Sequence, residues 1–160
     1  MKYFIDTNVI IDLLGNNQNK ENKKESKEEQ KNRKKEAQKI AQNKLEDIIL
    51  EEESELFINR LIVMETLRTI HFDHKKVFRE AEEKLTLFRQ LDIRPKIYEN
   101  AVAFSRFCHS KGIKIKGKCE AIDFLHFMTA KYYNLKIISN DGDMPKLEDA
   151  YIKFMESLDE

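Results

Sequence analysis

The chain has 160 residues, of which 29 are basic and 29 acidic, so its formal net charge is zero. This length fits one compact domain, and the balanced charge argues against a globally basic surface for nucleic acid. The two cysteines lack paired-ligand spacing, and the apolar N-terminal run is broken by Asp6, Asn8 and Asp12. We therefore expect a cytoplasmic protein with no disulfide framework, signal peptide or membrane span.

The first predicted elements are a strand, a buried helix and a charged arm. Residues 3–5 form a short apolar run, and residues 9–14 have the composition of a buried helix that ends at Gly15. Residues 17–39 contain nine basic and five acidic residues, with Ala37 as their one apolar side chain. This composition predicts a long charged insertion, either a solvated helix or a disordered arm. Alternatively, the surplus of basic side chains in the arm contacts RNA or a partner protein.

Strands and helices alternate through the rest of the chain. Apolar periodicity predicts a helix that packs on the body over residues 37–53. The later predicted strands are 56–58, 91–93 and 136–138, with a short fifth strand at 151–154. The later predicted helices are 61–72, 75–90, 96–111 and 120–133. Such alternation is typical of an α/β fold, with a central parallel sheet of four to five short strands covered on both faces.

Acidic residues follow two of the predicted strands. Asp6 comes directly after the first strand, and Asp141 follows the fourth. Ligands and catalytic groups in parallel sheets lie beyond the carboxyl ends of the strands. We therefore expect these two carboxylates to lie near each other.

Two further acids lie in helices whose other residues are mostly apolar. Glu65 is within LIVMETLRTI, and Asp123 is within AIDFLHFMTA. Acidic side chains are rarely buried unless they are paired, and few basic residues are near these four acids in sequence. A divalent cation with oxygen ligands, such as Mg²⁺ or Mn²⁺, would make their convergence tolerable.

Four segments of the chain resemble the PIN-domain nucleases, particularly the toxins of VapBC-type toxin–antitoxin pairs. These segments are FIDTNVII at 4–11, VMETLR at 63–68, AIDFLHFMTA at 121–130 and IISNDGDM at 137–144. Together they span nearly the whole chain in the order that the family has. The resemblance implies a three-layer α/β/α fold over residues 1–160 and a metal-dependent endoribonuclease that hydrolyses RNA with a metal-activated water. It also implies a cognate antitoxin and a homodimer as partners.

The resemblance assigns roles to particular residues. It implies that Asp6, Glu65, Asp123 and Asp141 bind Mg²⁺ or Mn²⁺ and form the catalytic centre. Asn8 and Ser139 would support this site, Asn8 by hydrogen bonding near Asp6 and Ser139 by orienting the last acid. Asp143 is a second acid in the same segment, so the fourth ligand could be Asp141 or Asp143, of which Asp141 fits the family pattern better.

The chain departs from the family pattern at two places, and other functions compete with nuclease activity. Met144 replaces a usual aromatic residue, and the charged arm lengthens the spacing between Asp6 and Glu65 to 59 positions. A PIN-like module that binds RNA or protein without cleaving it is the main alternative. A haloacid-dehalogenase-type phosphatase is a weaker one, because Asn8 stands where that chemistry needs a second acid.

Other polar residues have simpler interpretations. The His71 and His74 pair lacks a third metal ligand nearby in the sequence. His126 is interpreted as a packed or surface histidine rather than a catalytic base. The lysines of the loop GIKIKGK at 112–118 are interpreted as solvated, with contact to substrate phosphates as the alternative.

Overall fold

The structure, a computed structural model, describes residues 1–15, 54–116 and 119–159, together with eleven separate positions between 29 and 48. The strands are Lys2–Ile5 (β1), Glu55–Asn59 (β2), Arg89–Leu91 (β3) and Lys136–Ile138 (β4). The helices with defined bounds are Thr7–Leu14 (α1), Arg60–Leu67 (α2), Lys75–Leu85 (α3), Pro95–Ser110 (α4), Glu120–Tyr132 (α5) and Met144–Leu158 (α6).

The four strands form one parallel sheet in the order β3-β2-β1-β4. In the register of the central strand β1, Phe4 lies opposite Phe57 of β2 and Ile137 of β4. Helices flank this sheet, so the predicted three-layer α/β/α architecture is confirmed. The carboxyl ends of β1 and β4 are neighbours, which brings residues 6 and 139–141 to the same edge of the sheet.

Two hydrophobic clusters stabilise the fold. The first includes the buried strand residues Phe4, Ile5 and Ile58, which pack with apolar side chains of α1, α2 and α3. The second lies among α4, α5 and α6 and is centred on Phe104, whose ring contacts four other aromatic rings. Burial of the apolar surface of these two clusters is the main favourable contribution to folding.

Local sequence signals begin and end the first helices. The side chains of Asp6 and Asn59 cap the N-termini of α1 and α2, each by accepting a hydrogen bond from a backbone N–H. Gly15 ends α1 with a φ of 71°, a left-handed conformation that suits glycine. The prediction that this helix ends at Gly15 is therefore confirmed.

Most of the charged arm predicted at 17–39 lies outside the described residues. Its described positions, Glu29, Asn32, Arg33, Lys35, Glu36 and Lys39, are helical and exposed. Of the helix predicted at 37–53, Leu45 is buried in the first cluster and Ile48 packs against it, whereas Ile40 is exposed. These two contacts agree with a segment that packs on the body.

Several predicted element boundaries were wrong. The fifth strand predicted at 151–154 is part of α6, because Pro145 favours a helix start and the buried Leu147, Ala150 and Phe154 follow a helical period. The third strand is Arg89–Leu91 instead of 91–93, and α3 ends at Leu85 instead of continuing to 90. Helix α2 ends at Leu67, five residues before the predicted end. Within the described residues, no helix is long and apolar enough to span a membrane.

Candidate metal centre

Asp6 lies at the carboxyl end of β1, and both oxygens of its carboxylate accept hydrogen bonds. Its backbone N–H extends the β1–β4 pairing by bonding to the carbonyl of Ile138 at 3.0 Å. One carboxylate oxygen accepts from the Thr7 N–H at 2.7 Å, and the other accepts from the Ser139 hydroxyl at 2.7 Å. Burial raises the pKa of Asp6 above its ordinary value, although the Ser139 hydrogen bond offsets part of this rise.

Ser139 connects the two strand ends through its single hydroxyl. The hydroxyl donates to Asp6 and accepts from the Asn8 side-chain amide at 3.2 Å and from the Asp141 N–H at 3.0 Å. Asn8 also accepts from the Asn140 N–H at 3.1 Å through its carbonyl oxygen. These bonds fix the loop after β4 against the start of α1, so the backbone of Asp141 is held beside Asp6.

Glu65 projects from α2 toward the same region. Its Oε2 accepts a 2.7 Å hydrogen bond from the Thr7 hydroxyl and lies 2.6 Å from Nε2 of His126. Burial alone would raise the pKa of Glu65, but the contacts with His126 and Thr7 outweigh it and the pKa is lowered. Glu65 is therefore held as a carboxylate next to the Asp6 segment.

Asp123 lies in the first turn of α5 and is partly buried. None of the described residues donates a hydrogen bond to its carboxylate, and burial together with the charges of Asp6 and Asp141 raises its pKa to about 6. The charge of Glu65 contributes to the same rise. The charges of Asp6, Glu65 and Asp141 therefore all act on Asp123, and we call the region between these four acids, which come from four separate segments, the acid pocket.

Asp143 has different surroundings from Asp141. Its buried carboxylate accepts a 2.6 Å hydrogen bond from the Lys116 N–H and a 2.9 Å bond from Nζ of Lys146. Lys146 also bonds to the carbonyl of Lys114 at 2.9 Å. The Lys116 N–H and the Lys146 ammonium lower the pKa of Asp143. This carboxylate therefore ties the 113–116 loop to the start of α6 and is committed to those contacts.

The donor chemistry of the acid pocket fits a hard divalent cation. All four side chains offer carboxylate oxygens, and no lysine or arginine of the described residues forms an ion pair with any of them. Burial raises the pKa of both Asp6 and Asp123, and the neighbouring hydrogen bonds and charges do not reverse this rise. Among the described residues, no three His, Cys, Asp or Glu side chains are already arranged to hold one metal ion.

The other polar candidates do not join this pocket. His71 and His74 are exposed on the turn between α2 and α3, and their ring centroids are 5.4 Å apart. His109 contacts Glu120 at the surface, and the side chains of Lys114 and Lys116 are exposed. Gly117 and Lys118 of the same loop lie outside the described residues.

Sequence reasoning did not assign His126, Asn59 or Thr7 to the site. His126 was expected to be packed or at the surface, and it is packed, with 4% of its surface exposed. It also contacts Glu65, and Asn59 contacts its Nδ1 at 3.1 Å. One signal in the sequence could have identified His126. It is a polar residue in an otherwise apolar stretch, one helical turn after Asp123.

Comparisons with known proteins support the same fold. The PIN domain family model matches residues 3–150. A similar chain is present in the crystal structure of VapBC2 from Rickettsia felis, in which the VapBC2 proteins are bound to a DNA fragment from their promoter. The TM-score with that chain is 0.65, and the sequence identity is 16%. The similarity covers 92% of this chain and 93% of that one. Among curated proteins, no sequence matches this chain.

Proposed function

This chain belongs to the PIN domain family, and we propose that it is a Mg²⁺- or Mn²⁺-dependent endoribonuclease of the cytoplasm, acting as the toxin of a toxin–antitoxin pair. The observation that carries the proposal is that Asp6, Glu65 and Asp141, from three other segments of the chain, all lie close enough for their charges to act on the partly buried Asp123. Carboxylates gathered in this way, with no lysine or arginine of the described residues forming an ion pair with them, are typical of a functional site.

The chain's own residues would hold the cation and shape the reaction. Asp6, Glu65, Asp123 and Asp141 would be the ligands, and the bound ion would polarise a phosphodiester and activate water for in-line attack. Ser139 and Asn8 would keep Asp6 and Asp141 in place through the hydrogen bonds already described. Ionised carboxylates are required for this role, so the raised pKa of Asp123 would make binding weaker below about pH 6.

The loop with Lys114 and Lys116 is a candidate contact for the RNA backbone. Its tether is Asp143, which is separated from Asp141 by one residue. The two lysine side chains are exposed and would therefore be available to pair with substrate phosphates as point charges. Such contacts would position the strand without selecting its bases.

A cleavage assay on labelled single-stranded RNA tests the proposal. We expect cleavage with Mg²⁺ or Mn²⁺, loss of cleavage in EDTA, and loss in the Asp6→Asn and Asp141→Asn variants. Asp73→Asn is a matched control, because Asp73 is exposed and contacts only the surface residue His71 among the pairs described. Equal cleavage by Asp6→Asn and the unchanged protein would contradict the proposal and would indicate a contaminating nuclease.

We also propose that the chain binds a cognate antitoxin and that it forms a homodimer. A groove of about 440 Å³ between the end of α2 and α3 is lined by Leu67, Ile70, Phe72 and Phe78, and the Phe72 side chain is almost fully exposed. We propose that an apolar segment of the antitoxin binds there. In co-purification with the antitoxin, Phe72→Asp should lose the complex but keep cleavage. Sedimentation of the purified chain alone tests the homodimer.

The main alternative is a PIN module that binds RNA or protein without cleaving it. The lack of a preformed three-ligand arrangement among the described residues is the observation that favours it. Calorimetric titration with Mn²⁺ separates the two functions. Heat of binding that disappears in Asp141→Asn supports the nuclease, whereas no binding at millimolar Mn²⁺ together with RNA binding supports the inactive module.

A further inference from the structure

The buried His126 links Glu65 to the interior of the protein. We infer that His126 is a positioning residue, which holds the Glu65 carboxylate at the acid pocket by donating a hydrogen bond from Nε2. The inference rests on the proposed function for its consequence, since Glu65 is a proposed metal ligand. The hydrogen-bond arrangement itself follows from contacts that do not depend on a metal.

The orientation of Asn59 determines which nitrogen of His126 carries the proton. Asn59 Oδ1 accepts the Ile62 N–H at 2.9 Å as the N-cap of α2, so its NH₂ group must point the other way. That NH₂ group faces Nδ1 of His126 at 3.1 Å and can only donate. Nδ1 must therefore accept, which leaves the proton on Nε2, directed at Glu65 Oε2 at 2.6 Å.

The two donors at Glu65 act on the same oxygen. The Thr7 hydroxyl and His126 Nε2 both contact Oε2, and none of the described residues donates to Oε1. Thr7 belongs to α1 and His126 to α5, so the carboxylate is fixed between two helices that carry or adjoin the other acids. This arrangement commits Oε2 to the protein and keeps Oε1 for a ligand in the pocket.

A packing role alone does not explain these contacts. The imidazole lies beside Phe4, with ring centroids 6.1 Å apart, and an apolar side chain could fill that space. It could not satisfy the buried NH₂ group of Asn59, and Glu65 Oε2 would keep only the Thr7 hydroxyl as a donor. Leaving a buried polar group without a partner destabilises the folded state, so the continuous Asn59–His126–Glu65 chain favours a polar function for the histidine.

The protonation pattern can be tested in the metal-free wild-type protein. Long-range ¹H–¹⁵N correlation spectra of the imidazole rings distinguish an Nε2–H ring from an Nδ1–H ring. The chain has four histidines, and the His126 signals are those that disappear in His126→Gln. We expect His126 to carry its proton on Nε2 with Nδ1 bare. A proton on Nδ1 with a bare Nε2 would overturn the inference.

Metal affinity provides the second test. Loss of a residue that orients a metal ligand typically lowers metal affinity about 10- to 100-fold. We expect this loss of Mn²⁺ affinity in His126→Phe, measured by calorimetry. His126→Gln should keep most of the affinity, because the glutamine amide can donate to Glu65 from nearly the same position. His109→Phe removes a surface histidine that contacts Glu120 and should bind Mn²⁺ like the wild type.

The outcomes separate this inference from the proposed function. If the wild type binds Mn²⁺ and cleaves RNA while His126→Phe does both equally well, the inference is wrong and the proposed function stands. If the wild type neither binds Mn²⁺ nor cleaves RNA, the proposed function fails, and the ring spectrum still decides the positioning role. If His126→Phe does not fold, the wild-type ring spectrum decides it.

Discussion

Asp141 and Asp143 are separated by one residue, yet their carboxylates face different electrostatic surroundings. The charge of Asp141 acts on Asp123, whereas the Asp143 carboxylate accepts a hydrogen bond from the Lys116 N–H and forms an ion pair with Lys146. The sequence favoured Asp141 as the fourth acid but left Asp143 open. The contacts of Asp143 give a physical reason for the choice, because a metal would have to replace them.

Exchanging each of these acids for its amide should separate ligand binding from stability. Asp141→Asn is expected to lower Mn²⁺ affinity at least about tenfold. Asp143→Asn is expected to lower the free energy of unfolding by about 1–3 kcal/mol, because it weakens the bonds to Lys116 and Lys146. Since the pKa of Asp143 is lowered, this loss should be full at neutral pH and disappear as pH falls through the folded-state pKa. Calorimetry measures the Mn²⁺ affinity and urea unfolding measures the stability. A larger loss of Mn²⁺ affinity in Asp143→Asn than in Asp141→Asn would mean that Asp143 is the fourth ligand.

The raised pKa of Asp123 predicts that the free energy of unfolding of the metal-free protein depends on pH. A carboxyl group whose pKa rises from 3.8 to about 6 on folding favours the folded state while it is protonated. That contribution is present below pH 3.8 and is lost as pH rises through about 6. Asp123→Asn cannot ionise, so in EDTA at pH 7.5 it should be about 1–2 kcal/mol more stable than the wild type, since solvent screens part of the effect at this partly exposed side chain.

The same comparison at low pH provides the control for Asp123. Near pH 4 both side chains are mostly neutral in the folded state, so the difference in unfolding free energy should be small. Urea unfolding at the two pH values measures it. If the difference in unfolding free energy between the two proteins does not change with pH, the charge of Asp123 does not destabilise the folded protein.

At the scale of secondary structure, the sequence predicted the elements that position the acids better than it predicted their ends. Asp6 follows the central strand β1 and Asp141 follows the edge strand β4, and both strands contain apolar runs that are easy to recognise in the sequence. The 151–154 segment has strand-like composition, but it lies within α6 because its apolar residues pack against α4 and α5. Composition alone could not reveal that tertiary contact.

The His126 network shows why part of the site was beyond prediction. Its partners Glu65 and Asn59 are 61 and 67 positions away in the sequence. The acids could be recognised because a carboxylate at a strand end or in an apolar helix is unusual by itself. A histidine in an apolar stretch has several ordinary explanations, and its role depends on which side chains the fold places beside it.

The aromatic cluster of α4, α5 and α6 provides a test at this scale. Phe104 is fully buried and contacts Phe124, Phe127, Tyr151 and Phe154, so Phe104→Ala should cost about 3–5 kcal/mol of stability. Phe72→Ala is the control, because Phe72 is almost fully exposed and its loss should change stability by less than about 0.5 kcal/mol. Urea unfolding of both variants measures the difference. Equal losses would mean that the three helices do not depend on this cluster.

At the scale of the whole molecule, the parallel sheet brings together acids that the chain separates widely. Asp6 and Asp141 come from the carboxyl ends of neighbouring strands, while Glu65 comes from the helix that follows β2 and Asp123 from the helix that precedes β4. The unfolded chain has no such juxtaposition. A cation that binds the acid pocket must therefore stabilise the folded state selectively.

This coupling predicts a metal-dependent melting temperature. At a Mn²⁺ concentration of about 100 times Kd, the folded state gains about 2.7 kcal/mol, and for a domain of this size each kcal/mol raises Tm by about 2–4 °C. We therefore expect a rise in Tm of roughly 5–11 °C in thermal melts followed by circular dichroism at pH 7.5. The rise should be reversed by EDTA and should fall to about half or less in Asp141→Asn, whose amide keeps the hydrogen bond to the Asp143 N–H but lacks the charge. An equal rise in Asp141→Asn would place the ion elsewhere on the molecule, whereas no rise in the wild type at millimolar Mn²⁺ would favour the inactive module over the nuclease.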